Sequence, residues 1–161
     1  MDKKTINDRL KKICAEGALA QSFCRRMEEL LAKEERTLKW KVLLVAVERV
    51  GRLKKSVTRF VEPMAVGTRD GFIQMAWQSA ERSLEFQATD PGWYIIGTTI
   101  GPNDRRTYSD IECDPFDNAT LLQCYRWFED GKAAWPESKW LTKKKKAATG
   151  DSDEEGSAWI P

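Results

Sequence analysis

A chain of 161 residues with 41% hydrophobic and 32% charged residues has the length and composition of one soluble globular domain. The absence of histidine excludes Ser-His-Asp and Cys-His nucleophile systems and imidazole zinc sites. The net charge of +2 conceals a division by region: residues 1–60 carry 16 basic and 8 acidic side chains, whereas residues 61–141 carry 7 basic and 13 acidic ones. Such a division is typical of a protein with charged partners, and it favours a binding protein over an enzyme.

Residues 1–60 are predicted to form an αα-hairpin. Apolar or small residues recur through residues 6–31 at the spacing of one helix face, and Gly17 is a position where this helix can be kinked or divided. A second apolar stripe over residues 38–60 predicts the second helix. The basic side chains that lie off this second stripe are Lys41, Arg49, Arg52, Lys54, Lys55 and Arg59.

After residue 60 the hydrophobic period changes from 3.6 to 2, and short turns rich in Gly, Pro and Asp separate the alternating runs. This pattern predicts an antiparallel meander of four to five strands. Residues 60–66 are expected to be an edge strand, because Pro63 cannot donate to a central ladder. A helix that packs against the sheet is predicted to start at Asp114 or Asp117 and to end at Gly131.

Residues 142–161 are predicted to be a disordered charged tail, because charge blocks with Gly and Ser cannot form a core. Four lysines at 143–146 precede an acidic block at 151–155. The acidic block is followed by Trp159 and Ile160, an apolar tip that can dock in a pocket of a partner.

The predicted fold class is therefore α+β: an N-terminal αα-hairpin, a small antiparallel meander, one packing C-terminal helix and a disordered tail. The basic helical hairpin (1–60) and the sheet plus helix (61–141) are expected to form one domain, which the charged tail (142–161) follows. No apolar run approaches the roughly 20 residues that span a bilayer, and the first residues lack the apolar segment of a signal peptide. We therefore expect a cytoplasmic protein with no membrane partner, whose widely separated cysteines are free thiols.

An alternating row of carboxylates is the strongest candidate for chemistry. Asp110, Glu112 and Asp114 would share one face of a strand, where they could hold Mg²⁺. No lysine lies between Lys55 and Lys132 to complete a nuclease site, so a solvated acidic face is the favoured interpretation. We predict no catalytic residues, no metal site and no cofactor.

Residues 68–96 resemble a group of uncharacterised small bacterial or phage-associated proteins. Residues 70–77 follow their strand pattern DG-x-I-x-x-x-W, and residues 84–87 follow LE-x-x. Residues 90–94 depart from the third element, DG-x-Y, since they have Asp-Pro-Gly where the family order is Pro-Asp-Gly. The resemblance implies a cytoplasmic bacterial or phage protein associated with antiviral defence, mobile or toxin genes, and it carries no catalytic residues.

We expect a non-enzymatic protein that binds another macromolecule, with a protein as the favoured partner. Its expected role is that of an inhibitor, immunity or accessory factor of a defence or toxin system. The residues predicted to bind the partner are Lys41, Arg49, Arg52, Lys55, Arg59, Trp159 and Ile160. The alternative is a nucleic-acid-binding accessory protein that uses the same basic face on phosphates. A second copy of the chain is a further candidate partner, because its acidic half could meet the basic half.

Overall fold

The computed structural model of the chain describes residues 1–33, 39–68, 70–88, 92–114 and 116–137. Helices come first, then a five-stranded antiparallel sheet, then a last helix, which confirms the predicted α+β class. The predicted disordered tail, 142–161, lies outside the described residues. In chain order the elements are α1 (Lys3–Glu16), α2 (Gln21–Lys33), α3 (Trp40–Ser56), β1 (Met64–Gly67), β2 (Ile73–Gln78), β3 (Arg82–Ala88), β4 (Trp93–Ile100), β5 (Arg106–Cys113) and α4 (Asn118–Asp130), with a 3-10 turn at Pro102–Asp104.

The helical region contains three helices, because the first predicted helix is divided at Gly17. The amide of Leu19 donates to the carbonyl oxygen of Cys14 at 3.0 Å, and the amide of Ala18 donates to that of Ala15 at 3.1 Å. These are the two hydrogen bonds of a Schellman ending. Ala18 takes the left-handed conformation that this ending requires, with φ of 51°. α2 is therefore a separate helix, while α1 packs along α3.

The five strands form a meander in which each strand pairs antiparallel with the next. β1 lies at one edge, which confirms the position predicted from Pro63. Side chains alternate between an open face and a face that α3 and α4 cover. The covered face is fully apolar at its centre and includes Ile73, Met75, Trp77, Leu84, Phe86, Trp93, Ile95 and Ile111.

One cluster of buried side chains joins the helices to the sheet. Tyr125 of α4 lies in this cluster with its ring 1% exposed, and its hydroxyl contacts the connection between α3 and β1. That hydroxyl donates to the carbonyl oxygen of Arg59 at 3.2 Å and accepts from the amide of Val61 at 3.1 Å. The indole of Trp77 donates to the carbonyl oxygen of Val61 at 2.7 Å. These bonds hold α4 beside the C-terminal end of α3.

Within the described part of the chain, the helices are all too short or too polar to cross a membrane. The four cysteines are free thiols, and three of them are buried. Burial raises the pKa of the Cys113 thiol to about 12, which keeps it protonated and unreactive near neutral pH.

Candidate functional site

A groove of about 300 Å³ lies between the C-terminal half of α3 and the beginning of α4. Its lining combines three cationic side chains with a hydroxyl, an amide and three leucines. These residues are Arg49, Arg52, Lys55, Ser56, Asn118, Leu53, Leu121 and Leu122. A cationic lining with apolar walls can hold an anionic group that has an apolar stem.

The helical period of α3 brings the three cations to the same groove. Arg52 and Lys55 follow Arg49 at three and six residues along the helix, which places them on adjacent turns of one side. The opposite side of α3 is apolar, and Val47 and Val50 are buried in the core. Of the predicted basic residues, Arg49, Arg52 and Lys55 are brought together around one cavity.

Arg49 lies off the apolar stripe predicted for residues 38–60, yet it is only 5% exposed. Its Nη1 donates to Oδ1 of Asn118 at 3.1 Å, and its guanidinium carbon lies 4.6 Å from the ring centroid of Phe116. Its Nε is buried without a hydrogen-bond partner among the described residues. Desolvation lowers the pKa of Arg49, although the guanidinium stays charged at neutral pH. A buried cation with one unpartnered donor is a strong attractor for an anion.

Arg52 and Lys55 are the solvent-facing cations of the groove. Arg52 Nη2 lies 3.1 Å from Oε1 of Glu48 in an exposed ion pair one helical turn away. Lys55 is exposed, and its ammonium makes no hydrogen bond or ion pair with another described residue. An incoming carboxylate can therefore bind Lys55 without breaking a bond within the protein.

The other wall of the groove depends on how α4 begins. Asp117 is the N-cap, and its carboxylate accepts from the amide of Thr120 at 3.0 Å and from the Thr120 hydroxyl at 2.7 Å. The cap fixes Asn118 as the first helical residue, where its amide oxygen meets Arg49. Of the two starts predicted from the sequence, Asp114 and Asp117, the structure selects Asp117.

The remaining predicted binding residues lie apart from the groove. Lys41 is exposed at the beginning of α3, 5.4 Å from the ring of Trp40 and about 20 Å along the helix from Lys55. Arg59 is exposed in the coil after α3. Trp159 and Ile160 lie outside the described residues.

The acidic row follows the open face of β5. Asp110 accepts a hydrogen bond from the hydroxyl of Tyr94 at 2.8 Å, and Glu112 lies opposite Tyr94 in the strand register. This bond and the charges of the two carboxylates raise the pKa of Tyr94. Among the described residues, no group of three or more His, Cys, Asp or Glu side chains converges so that it could hold a metal ion.

Phe116 and Asn118 are the residues of the site that sequence reasoning missed. Neither carries a charge, and their role depends on packing against Arg49, which is distant in the chain. The sequence offered one signal for Asn118. If Asp117 is the N-cap, Asn118 is the first helical residue and lies at the N-terminal end of the helix.

Comparison of the chain with protein-family models, with curated proteins and with solved structures found no match. The fold and the groove define an α+β protein that presents a cationic cavity between two helices. Its function is therefore inferred from the chemistry of that cavity.

Proposed function

We propose that this chain is a non-enzymatic protein that binds another protein as an inhibitor or accessory factor. Its groove between α3 and α4 receives an acidic side chain, or a short acidic segment, of that partner. The observation that carries the proposal is the cluster of three cations, one of them buried with an unpartnered donor, around a cavity of about 300 Å³.

The size and walls of the groove support a protein partner. A volume of about 300 Å³ accommodates one or two side chains and is at the small end of ligand cavities. Leu53, Leu121 and Leu122 offer apolar contact to the methylene groups of a Glu or to a neighbouring apolar residue. A carboxylate on such a stem would meet Lys55 and Arg52 at the entrance and Arg49 inside.

The distribution of charge is less suited to nucleic acid, which is the alternative proposal. A phosphate backbone needs a continuous row of exposed cations, whereas Arg49 is buried and Lys41 lies at the far end of α3.

A role in a bacterial or phage defence or toxin system rests on the resemblance of residues 68–96 alone. Within such a system the proposed inhibitor or accessory factor would act by occupying an acidic surface of its target. A cytoplasmic location is supported by that resemblance and by the four free cysteines. The absence of histidine from the chain supports a binding role rather than a catalytic one, and the Ser56 hydroxyl in the groove lining donates to the carbonyl oxygen of Arg52 at 3.0 Å rather than to a base.

The test combines charge reversal with a matched control. Arg52→Glu with Lys55→Glu reverses the entrance of the groove, whereas Lys41→Glu with Arg59→Glu changes net charge equally at exposed positions outside it. Each variant and the wild type are used to isolate partners from the native host, with and without nuclease. We expect a stoichiometric protein that survives nuclease, is lost with the first pair and is retained with the second.

Two outcomes would contradict the proposal. Equal loss of the protein partner with both pairs would show that only net charge matters and that the groove is not the site. Recovery of nucleic acid that is lost after charge reversal, with no protein partner, would favour the alternative. Titration with a hexaglutamate peptide gives a second measurement, because its affinity should fall with salt and with the groove variant only.

A further inference from the structure

The two edges of the five-stranded sheet are unlike each other. At one edge α2 packs on β1, and Nε of Arg26 donates to the carbonyl oxygen of Ala65 at 3.1 Å. At the other edge β5 pairs only with β4 within the described part of the chain. Natural proteins keep unpaired edge strands short or cover them, so an edge of eight residues that pairs with no further described strand is a template for pairing with another strand.

The backbone groups available at this edge are those of the even-numbered residues. The amide of Gly101 donates to the carbonyl oxygen of Arg105 at 2.6 Å, which directs the backbone of Arg105 towards β4. Successive residues of a strand direct their N–H and C=O groups to alternate sides. Residues 107, 109, 111 and 113 therefore bond to β4, and residues 106, 108, 110 and 112 point theirs away from the sheet.

The charges along β5 are complementary to those of the same strand running in the opposite direction. Arg106 stands exposed at its beginning, and Asp110 and Glu112 stand near its end on the same open face. If two copies pair antiparallel about Ser109, Arg106 of each lies opposite Glu112 of the other. Tyr108 of each then lies opposite Asp110 of the other.

We infer that the protein forms a twofold dimer in which the β5 strands of two copies pair antiparallel about Ser109, joining two sheets into one. In this register, the residues whose backbone N–H and C=O groups point away from the sheet lie opposite each other, so these groups can form hydrogen bonds between the two copies. A shift by one residue would instead place them opposite residues whose backbone groups already bond to β4. A shift by two residues in one direction would place Tyr108 opposite its own copy and leave Glu112 without a strand residue opposite. The same shift in the other direction would place the two Asp110 carboxylates opposite each other and leave Arg106 without a strand residue opposite. The chosen register therefore combines the longest overlap with two Arg106–Glu112 pairs. It does not depend on the proposed function of the groove.

Sedimentation velocity over a range of concentrations, from low micromolar to submillimolar, tests the dimer through three charge variants. Arg106→Glu would place two Glu side chains opposite each other at each end of the interface, and Glu112→Arg would place two Arg side chains there. Each change should raise the dimer dissociation constant about tenfold or more, since like charges directly opposite repel. Arg105→Glu is the control, because it carries the same charge change outside β5.

An equimolar mixture of the Arg106→Glu and Glu112→Arg proteins is the decisive sample. Every opposed pair in the mixed dimer is again of opposite sign, so association should return to about the wild-type level. A wild type that stays monomeric throughout, an equal effect of Arg105→Glu, or a mixture that fails to associate would overturn the inference.

Disulfide trapping supplies a measurement that does not depend on charge. In this register the two Ser109 residues form a non-hydrogen-bonded pair, whose Cα atoms lie about 4.5 Å apart and within disulfide range. Ser109→Cys should therefore give a covalent dimer on mild oxidation. Thr107→Cys should not, since its counterpart is several residues away; equal cross-linking of both variants would contradict the register.

Discussion

Gly17, at the end of α1, and Gly51, in the middle of α3, are in backbone contact where the two helices cross. A Cβ added to Gly17 would lie 2.8 Å from Cα of Gly51, and one added to Gly51 would lie 3.0 Å from Cα of Gly17. Gly17 has an ordinary helical φ of −78°, so its lack of a side chain serves the close approach and not an unusual conformation. Backbone atoms, unlike the end of a side chain, cannot rotate away from an added methyl group.

We expect Gly51→Ala to lower the free energy of unfolding. Overpacking costs about 1–3 kcal/mol, and the higher helix propensity of alanine offsets about 1 kcal/mol of it. Because the contact is with backbone atoms, the cost lies in the upper part of that range and the expected net loss is about 1–2 kcal/mol, measured by urea unfolding. Lys55→Ala in the same helix is the control, expected to change stability by less than about 0.5 kcal/mol because that side chain is exposed. An alanine variant as stable as the wild type would mean that the helices separate without cost.

Ala18 gives a prediction of the opposite sign. Its φ of 51° is left-handed, which costs an alanine about 1–2 kcal/mol relative to a helical conformation. Glycine would remove that cost, but its greater conformational freedom in the unfolded chain would lower stability by about 0.4–1 kcal/mol. We therefore expect Ala18→Gly to raise the free energy of unfolding by about 0.5–1 kcal/mol. Thermal and urea unfolding measure the change, and a loss of stability would show that the strain is relieved some other way.

These two positions also show how far the fold could be predicted from the sequence. The low helix propensity of glycine predicted the division at Gly17, and strand alternation with turn residues predicted the meander. The reason for the glycine could not be predicted, because it depends on Gly51 in another helix. The left-handed residue of the helix ending is Ala18, one position after the glycine that usually takes that role.

Arg49 is the corresponding case within the candidate site. Val42, Ala46 and Leu53 lie at helical spacing from Arg49, and Ala46 and Leu53 are buried, so the spacing indicated a partly buried position for Arg49. The charge of the side chain favoured solvent instead. What decides the outcome is the wall supplied by Phe116 and Asn118, and no local pattern could predict that contact.

Variants of the buried Arg49 distinguish its contribution to the stability of the protein from its contribution to binding in the groove. Arg49→Met keeps an apolar stem of similar length and removes a charge whose desolvation is only partly compensated, so we expect a change in stability of less than about 1 kcal/mol. Both variants leave Asn118 without its donor, but Arg49→Ala removes the packing of the stem as well, and we expect it to lose about 2–3 kcal/mol. Urea unfolding distinguishes the two variants.

Binding should respond differently from stability in this pair. Because both variants remove the cation, we expect both to weaken binding of the hexaglutamate peptide. Arg49→Met should do so without the loss of stability that accompanies Arg49→Ala. Affinity of Arg49→Met equal to that of the wild type would assign the attraction to Arg52 and Lys55 alone. Isothermal titration at low and moderate salt gives the comparison.

Glu62 connects the turn after α1 with the end of α3. Its carboxylate accepts from the amide of Ala20 at 3.0 Å and lies 3.1 Å from Nζ of Lys54, which also donates to the carbonyl oxygen of Ala18 at 2.6 Å. Burial raises the pKa of Glu62, but the hydrogen bonds from Ala20 and Lys54 and the charge of Lys54 outweigh it. The net result is a pKa below the usual value of 4.5.

The lowered pKa predicts how stability depends on pH. A carboxyl group with a lower pKa in the folded than in the unfolded state contributes its full stabilisation above the unfolded pKa, and loses it as pH falls through the folded pKa. We expect Glu62→Gln to be less stable than the wild type by about 1 kcal/mol near neutral pH, with the difference shrinking as the pH falls below 4.5. Urea midpoints measured from neutral to acidic pH give this comparison.

Glu16→Gln is the control, since its ion pair with Lys12 spans 3.9 Å in solvent and should contribute less than about 0.5 kcal/mol. A difference for Glu62→Gln that stays constant across this range would mean that the carboxylate stabilises the turn through packing and not through its charge.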